Sequence, residues 1–515
     1  MTRSNADIGA GLAPARPGRP LAAGARLHVV GIGGTAALGA ALHARALGLA
    51  VTGYDEHLGA GTRAILEAAG IDASEHHDAA AIARADIVAA SKAITSIDPD
   101  QADLAAARAR GLQPIAVQQV IADAAASRGG SLLGVAGTHG KTTSTGWLLQ
   151  LLRASGRDPS AFVGGPLPAG VGTPPRSPVH IGVEPGFVVE ADEYGGNFDP
   201  YAATGALILN ADWDHPDIFA DRPAVIAAFA RWAAPVLRRG IVVVNVGDAG
   251  GAAVAAALRG GATGDAADRL LTYAIGRGNG EADIDAASAT GERGATTLTG
   301  LRLSARAAAL LPTLAALEGA TLPLGLVGEH NAANGLGVAV LAAAEGATPE
   351  GIRRGLAEFT GVGRRLEPLF DDGARTILDD YGHHPTALDA TISAARARYP
   401  GRPLWLLFEP LTYHRTAALL EPLAASCAAA DRVWIADIHA SRDPDRSIAS
   451  AAGLAERIVA RGTAAAAPGG AEATAEALLA ELPERVIVLV AGGGRSTDAA
   501  HLIAARLTSR AGGAA

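Results

Sequence analysis

The stretch that decides the fold is Gly137-Thr138-His139-Gly140-Lys141-Thr142-Thr143. Ahead of it, Leu132, Leu133 and Val135 read as a short buried strand. Behind it, Trp147, Leu148, Leu151 and Leu152 recur at helical spacing, and Gly156 stops the helix. Strand, glycine-rich turn and helix form the context in which a phosphate-loop pattern gains physical meaning. Backbone N–H groups at the helix start hold a triphosphate, and the Thr142 hydroxyl is placed to ligate Mg²⁺. Lysine occurs only at positions 92 and 141 among 43 basic residues. Arginine has replaced it almost everywhere. Lys141 therefore marks a place for a slim point charge, where a planar guanidinium is a poor substitute.

Working outward, the chain divides into three blocks, as expected for 515 residues at roughly 150 per domain. Residues 1–24 are rich in Gly, Ala, Pro and Arg and read as a disordered leader. In the block from 25 to 128, the strand Leu27-His28-Val29-Val30 runs into Gly31-Ile32-Gly33-Gly34-Thr35. A helix and a second strand follow, ending at Asp55. This is a Rossmann-type nucleotide-binding half. Residues 129–347 form the expected central block. There, Phe187-Val188-Val189-Glu190-Ala191-Asp192-Glu193 ends a strand in carboxylates. Ala206-Leu207-Ile208-Leu209 delivers Asn210-Ala211-Asp212-Trp213-Asp214-His215. Three strands thus bring a phosphate loop, an acid cluster and an Asp/His cluster to one carboxyl edge, where open α/β sheets bind ligands. Glu190 is a candidate Mg²⁺ ligand, because Mg²⁺ takes oxygen donors and needs few from protein when phosphates supply others. Residues 348–515 read as a second Rossmann-like sheet. Its most specific segment is Asp379-Asp380-Tyr381-Gly382-His383-His384-Pro385-Thr386. The adjacent histidines do not make one metal site, since neighbours on an extended segment point apart.

Composition narrows the function. A net charge of −9 without a Lys/Arg run argues against a nucleic-acid surface. Cys427, the single cysteine, excludes a disulfide framework and a thiolate metal cluster. No apolar run reaches membrane-spanning length, so a cytoplasmic protein without a membrane partner is expected.

The G-T-H-G-K-T-T loop has Val135 where the common phosphate loop has its first Gly, and in this it resembles the Mur ligases. Further motifs fall in that family's order between about residues 27 and 500. They are Ser91-Lys92-Ala93-Ile94, the carboxylate strand, His330-Asn331-Ala332-Ala333-Asn334 and the D-D-Y-G-H-H-P-T run. The resemblance implies an α/β chain of three domains: a Rossmann-like UDP-substrate domain, a phosphate-loop ATPase-type domain and a Rossmann-like domain for the amino acid. It implies ATP and Mg²⁺ as cofactors. ATP would be held by Gly137, Thr138, His139, Gly140, Lys141, Thr142, Thr143, Asn331, Arg365 and Asp380. Lys141, Glu190, His215 and Arg365 would be catalytic, with Thr142 and Glu190 as metal ligands and His215 as the ligand of a second Mg²⁺. Gly31, Gly33, Gly34, Thr35, Asp55 and Ser91 would hold the UDP-sugar. Tyr381, His383 and Arg415 would form the amino-acid pocket.

One branch of the family holds a second metal through a carbamylated central-domain lysine. This chain has no lysine after 141, which leaves the alanine-adding branch and the branch that recycles a tripeptide. Tyr413-His414-Arg415-Thr416 resembles the alanine adder. Glu409-Pro410 and Trp213-Asp214-His215-Pro216-Asp217-Ile218-Phe219 lean toward the recycling enzyme. Ile115-Ala116-Val117-Gln118-Gln119-Val120 departs from the H-R-A-E-M segment usual in alanine adders. The expected reaction joins L-alanine to the lactyl carboxylate of UDP-N-acetylmuramate through an acyl phosphate, in a monomer or weak homodimer. Two readings from other classes are a nicotinamide oxidoreductase using the first glycine-rich turn and a non-catalytic homologue. The first leaves the phosphate loop unexplained. The second expects loss of Lys141 or Glu190, and both are present.

Overall fold

The computed structural model describes residues 3–261, 264–276, 282–440, 443 and 445–512. Among them are three sheets, one for each block. The first has five parallel strands, in the order Asp72–Ser74, Ala50–Tyr54, Arg26–Val30, Ile87–Ala90 and Ile115–Ala116. The reversal of order beside Arg26–Val30 puts Gly31–Thr35 at a topological switch point, the usual place for a ligand in such sheets.

The central sheet has ten strands. Leu132–Ala136 lies between Phe187–Glu190 and Gly205–Ile208, parallel to both. All three are almost wholly buried runs of Val, Ile, Leu and Ala, as parallel strands covered on both faces must be. Their shared direction sends the phosphate loop, Glu190 and Asn210 out of the same edge. The helix Lys141–Ala154 then packs back on the sheet, with Trp147 fully buried. The Trp147 indole donates to Gly355 O at 3.0 Å and stacks on Phe359 at 5.5 Å.

That contact moves the boundary expected at 347/348. The helix Pro349–Glu358 and the residues after it place Ile352, Leu356, Phe359 and Val362 in the core of the central unit. The third sheet starts at Glu367, in the order Glu367–Asp371, Arg375–Asp380, Val486–Gly492, Leu404–Glu409, Arg432–Ala436 and Ala465–Gly469. An amphipathic helix after a turn reads equally well as the first helix of the next block, so the sequence pattern did not assign it.

The expectation of a disordered leader is also corrected (residues 1 and 2 lie outside the described residues). Arg16 makes two hydrogen bonds to Asp123, at 2.7 and 2.8 Å, and its backbone N–H donates to Gln119. Asn5–Ile8 forms a helical turn with a Ser4/Asp7 capping box, and Ile8 is fully buried. The strap is held by an ion pair, backbone donors and one apolar anchor. It carries no hydrophobic period that a sequence pattern would register.

Candidate active site

Gly137 and Gly140 have φ of 144° and 83°, values that favour glycine and let the loop wrap inward. Asn210, at the end of the neighbouring strand, clamps the loop from outside. Its amide accepts from His139 N at 2.8 Å and donates to His139 O at 3.0 Å. Thr138 Oγ1 is engaged with Asp212 O at 3.0 Å. The Lys141 ammonium donates to Gly137 O at 2.7 Å and to Glu193 Oε2 at 2.8 Å, with Asp192 Oδ1 at 3.7 Å. Burial works against its charge, but Glu193 and Asp192 more than offset this and hold its pKa above the ordinary lysine value.

Thr142 Oγ1 donates to Glu190 Oε1 at 3.1 Å, and Arg365 donates to Thr142 Oγ1 at 3.2 Å. Three residues singled out by sequence, one of them 223 positions away, therefore meet at one point. Glu190 is held in place by the Gly164 N–H at 2.7 Å. Burial raises its pKa, against the pull of Lys141.

His215 is the residue expected to serve a second Mg²⁺. His215 groups with Asp192 and Glu193, and one donor atom of each lies within 4.8 Å of the others. Sequence reading left Glu193 out of the site, although it partners Lys141. Burial pushes the Glu193 carboxyl up to about 7. Its only sequence signal is its place three residues past Glu190, and the turn that folds it back rests on Gly195 and Gly196 at φ of 56° and 67°. Three carboxylates, Glu193 buried and Glu190 and Asp192 half-buried, against the Lys141 ammonium and the Arg365 guanidinium leave an excess of negative charge. That donor set of oxygens, with a threonine hydroxyl, fits Mg²⁺.

The excess charge gives a pH prediction. Glu193 has a higher pKa folded than unfolded, so its contribution to stability is complete below the ordinary glutamate value of 4.5. It fades as pH rises toward about 7. Thermal unfolding in EDTA between those limits should show this loss in the wild type, and Glu193→Gln should remove it. Parallel curves for the two proteins would refute the assignment.

Arg415, expected to face the amino acid, is engaged with Asp214 and His215. It is 3% exposed. Its Nε donates to Asp214 Oδ1 at 2.7 Å and one terminal nitrogen to His215 Nδ1 at 3.2 Å, while NH1 has no hydrogen-bond partner among the described residues. An ion pair spanning 201 residues leaves no local trace in a sequence. Arginine has donors only, so this contact puts the His215 lone pair on Nδ1 and the hydrogen on Nε2. Burial, reinforced by Arg415, keeps His383 neutral. Its Nδ1 lies 2.9 Å from Tyr381 O, which makes Nε2 the acceptor. The Tyr381 ring is flanked by Arg364 and Arg365 at 5.1 and 5.0 Å.

Asp380 is spent on the backbone. It accepts from Leu366 N at 2.9 Å and Gly382 N at 2.7 Å, fixing the turn that carries Arg365. Asn331 lies inside the helix Glu329–Ala344, whose cap is Gly328, and its amide donates to Val327 O at 2.8 Å. Both residues line a cleft of about 1450 Å³ between the second and third sheets, with His139, Gly140, Thr143 and Arg365. That volume exceeds the range of about 300–1,000 Å³ usual for one small ligand. In the first block, Gly33 N donates to Asp55 Oδ2 at 2.8 Å, and Gly34 precedes the helix beginning at Thr35. Ser91 caps the short helix Lys92–Thr95 through Ala93 N at 3.2 Å.

Comparison with known proteins agrees with this layout. Residues 26–128 match the Mur ligase family catalytic domain, 135–342 the Mur ligase middle domain and 364–494 the Mur ligase glutamate ligase domain. The UDP-N-acetylmuramate–L-alanine ligase of Chloroflexus aggregans is 32% identical over 500 residues, covering 93% of this chain and 98% of its own. The chain belongs to the Mur ligase family. A second relative, the enzyme of the same name from Frankia casuarinae, is 34% identical over 401 residues, covering 74% of this chain and 75% of its own. The crystal structure of the UDP-N-acetylmuramate–alanine ligase of Thermotoga maritima shares the fold of this Mur ligase, with a TM-score of 0.74 at 20% identity. The alignment covers 94% of this chain and 99% of that one. A murein peptide ligase from Psychrobacter arcticus aligns with a TM-score of 0.66 at 21% identity, over 94% and 99% of the two chains. The three-domain α/β architecture expected from the motifs is thus the family's.

Proposed function

We propose that this Mur ligase joins L-alanine to the lactyl carboxylate of UDP-N-acetylmuramate, consuming ATP and releasing ADP and phosphate. The observation that carries the reading is the meeting of Lys141, Thr142, Glu190 and Arg365 at the edge shared by the cleft and the phosphate loop. The relatives' common name supports the choice of substrates. The carboxylate oxygen attacks the γ-phosphorus as the bond to ADP breaks, giving an acyl phosphate. The amine nitrogen then attacks the acyl carbon, phosphate leaves, and the amine gives up a proton.

Phosphoryl transfer depends on positioning and charge neutralisation more than on covalent participation by the protein. Lys141 and Arg365 supply fixed positive charge from two domains. Thr142 and Glu190, with Asp192 and Glu193 beside them, would hold Mg²⁺, which adds charge neutralisation at the phosphates; His215 would ligate a second ion only by releasing Nδ1 from Arg415. Attack by nitrogen needs a free lone pair. His383, neutral and with Nε2 as acceptor, is suited to orient the incoming ammonium by a hydrogen bond rather than to keep its proton. Arg415 NH1 is the remaining donor for the amino-acid carboxylate, and the Asp214 contact fixes its direction.

The amine substrate is decided by competition. L-Alanine and L-Ala-γ-D-Glu-meso-diaminopimelate are offered at equal concentrations with UDP-N-acetylmuramate, ATP and Mg²⁺. The expected major product is UDP-N-acetylmuramoyl-L-alanine. Predominance of the UDP-sugar tripeptide would assign the chain to the recycling branch, the reading favoured by Glu409-Pro410 and Trp213–Phe219.

A further inference from the structure

The two lysines of this arginine-rich chain converge on one turn. Lys141 holds Glu193, and Lys92 donates to Gly195 O at 2.6 Å across the junction between the first and central sheets. Around Lys92 the packing is continuous. Its stem passes Gly9, and a β-carbon at Gly9 would stand 3.9 Å from Lys92 Cε. A β-carbon at Gly195 would come within 2.7 Å of Ile8 Cγ2, and one at Gly196 within 2.7 Å of Asn5 Nδ2. The strap is tied in turn to both units. Thr95 Oγ1 donates to Ile8 O at 2.8 Å, Arg3 donates to Ser96 O at 2.7 Å, and Arg3 N donates to Asp217 O at 2.6 Å. On the other side of Ser91–Thr95, Ile94 packs directly under Gly31 of the first glycine-rich turn.

We infer that Lys92 is a positioning residue that, with the strap residues Arg3–Ile8, clasps the carboxylate-bearing turn to the first domain and thereby fixes the Gly31–Thr35 turn. The chain of contact runs from Gly31 to Ile94, then Lys92, Gly195, Glu193 and Lys141. The group is suited to the task. An ammonium on a thin stem reaches a carbonyl between two packed segments, where a guanidinium would force them apart. Its charge is supported by Asp199 and Asp192, while burial lowers its pKa below the ordinary lysine value without removing the contact geometry. The inference rests on the proposed function in assigning the UDP-sugar to the first domain.

The test uses the full chain with Lys92→Met, Ile8→Ala and the double variant. In steady-state assays, each single change should raise KM for UDP-N-acetylmuramate by about tenfold, within the range of ordinary site coupling. KM for ATP should stay within about twofold of wild type. Both changes open one clasp, so the double variant should be no worse than the more affected single one. An unchanged KM for the UDP-sugar, a parallel rise in KM for ATP, or additive effects would overturn the inference. Should Lys92→Met fail to fold, Ile8→Ala carries the same outcomes. Hydrogen–deuterium exchange without substrates gives a readout independent of the reaction. Amides of Tyr194–Asn197 should exchange faster in the variants, and equal exchange overturns the clasp. A wild-type protein that makes no product from UDP-N-acetylmuramate would instead refute the proposed function, leaving the exchange result to judge the clasp.

Discussion

Lys141→Arg is expected to cut ATP-dependent product formation about a hundredfold, some ~2.7 kcal/mol in the barrier, although charge is conserved. The reason is geometric. The ammonium sits inside the loop, bonded to Gly137 O and Glu193 Oε2 at 2.7 and 2.8 Å, and its side chain is almost wholly enclosed. A planar guanidinium carries five donors in a fixed fork and is wider than the space between Gly137 and Glu193. It would displace the loop or leave buried donors unpaired. The measurement is the rate of product formation under saturating substrates, with circular dichroism to confirm folding. A variant that kept more than about a tenth of the wild-type rate, a loss under ~1.4 kcal/mol, would remove Lys141 from the phosphate site.

Glu190→Gln should raise the half-saturating Mg²⁺ concentration at least about tenfold and lower the rate by about a hundredfold, as loss of a charged ligand to a catalytic cation implies. The amide keeps the shape of the side chain and an acceptor for the Gly164 N–H at 2.7 Å, so the fold is preserved and the charge alone is tested. His215→Ala should shift the Mg²⁺ curve less. His215 lies with Asp192 and Glu193 rather than at Thr142, and its Nδ1 is engaged by Arg415 at 3.2 Å. Unchanged rate and Mg²⁺ dependence in Glu190→Gln would show that the carboxylate does not serve the metal.

Much of this site was legible because each of its groups follows a short apolar strand. Gly137–Thr143 comes directly after Leu132–Ala136, Glu190 ends Phe187–Glu190, and Asn210–His215 follows Gly205–Ile208 by one residue. Parallel pairing then forces them to one edge. Resemblance carried Arg365 to the phosphate loop, where it donates to Thr142 Oγ1. What escaped was set by tertiary structure. Glu193 turns inward because of two left-handed glycines downstream of it. Arg415 is occupied by Asp214, from another domain. Residues 3–21 carry no periodic apolar signal, yet Asp123, Gln119 and Thr95 order them. Pro349–Glu358 has the pattern of any amphipathic helix, and only the hole beside Trp147 and Leu151 decides where it packs.

The confinement of both lysines to one interior turn also determines how the outside of the molecule responds to chemistry. Its exposed cations are guanidinium groups, which stay protonated far into alkali, so positive surface charge is constant across the whole alkaline range of an ordinary titration. Amine-directed reagents meet only two ε-amino groups, Lys92 and Lys141, both partly buried and engaged in hydrogen bonds. Slow acylation of an internal amine would report the opening of the seam between the first two domains, turning a compositional bias into a built-in probe of motion.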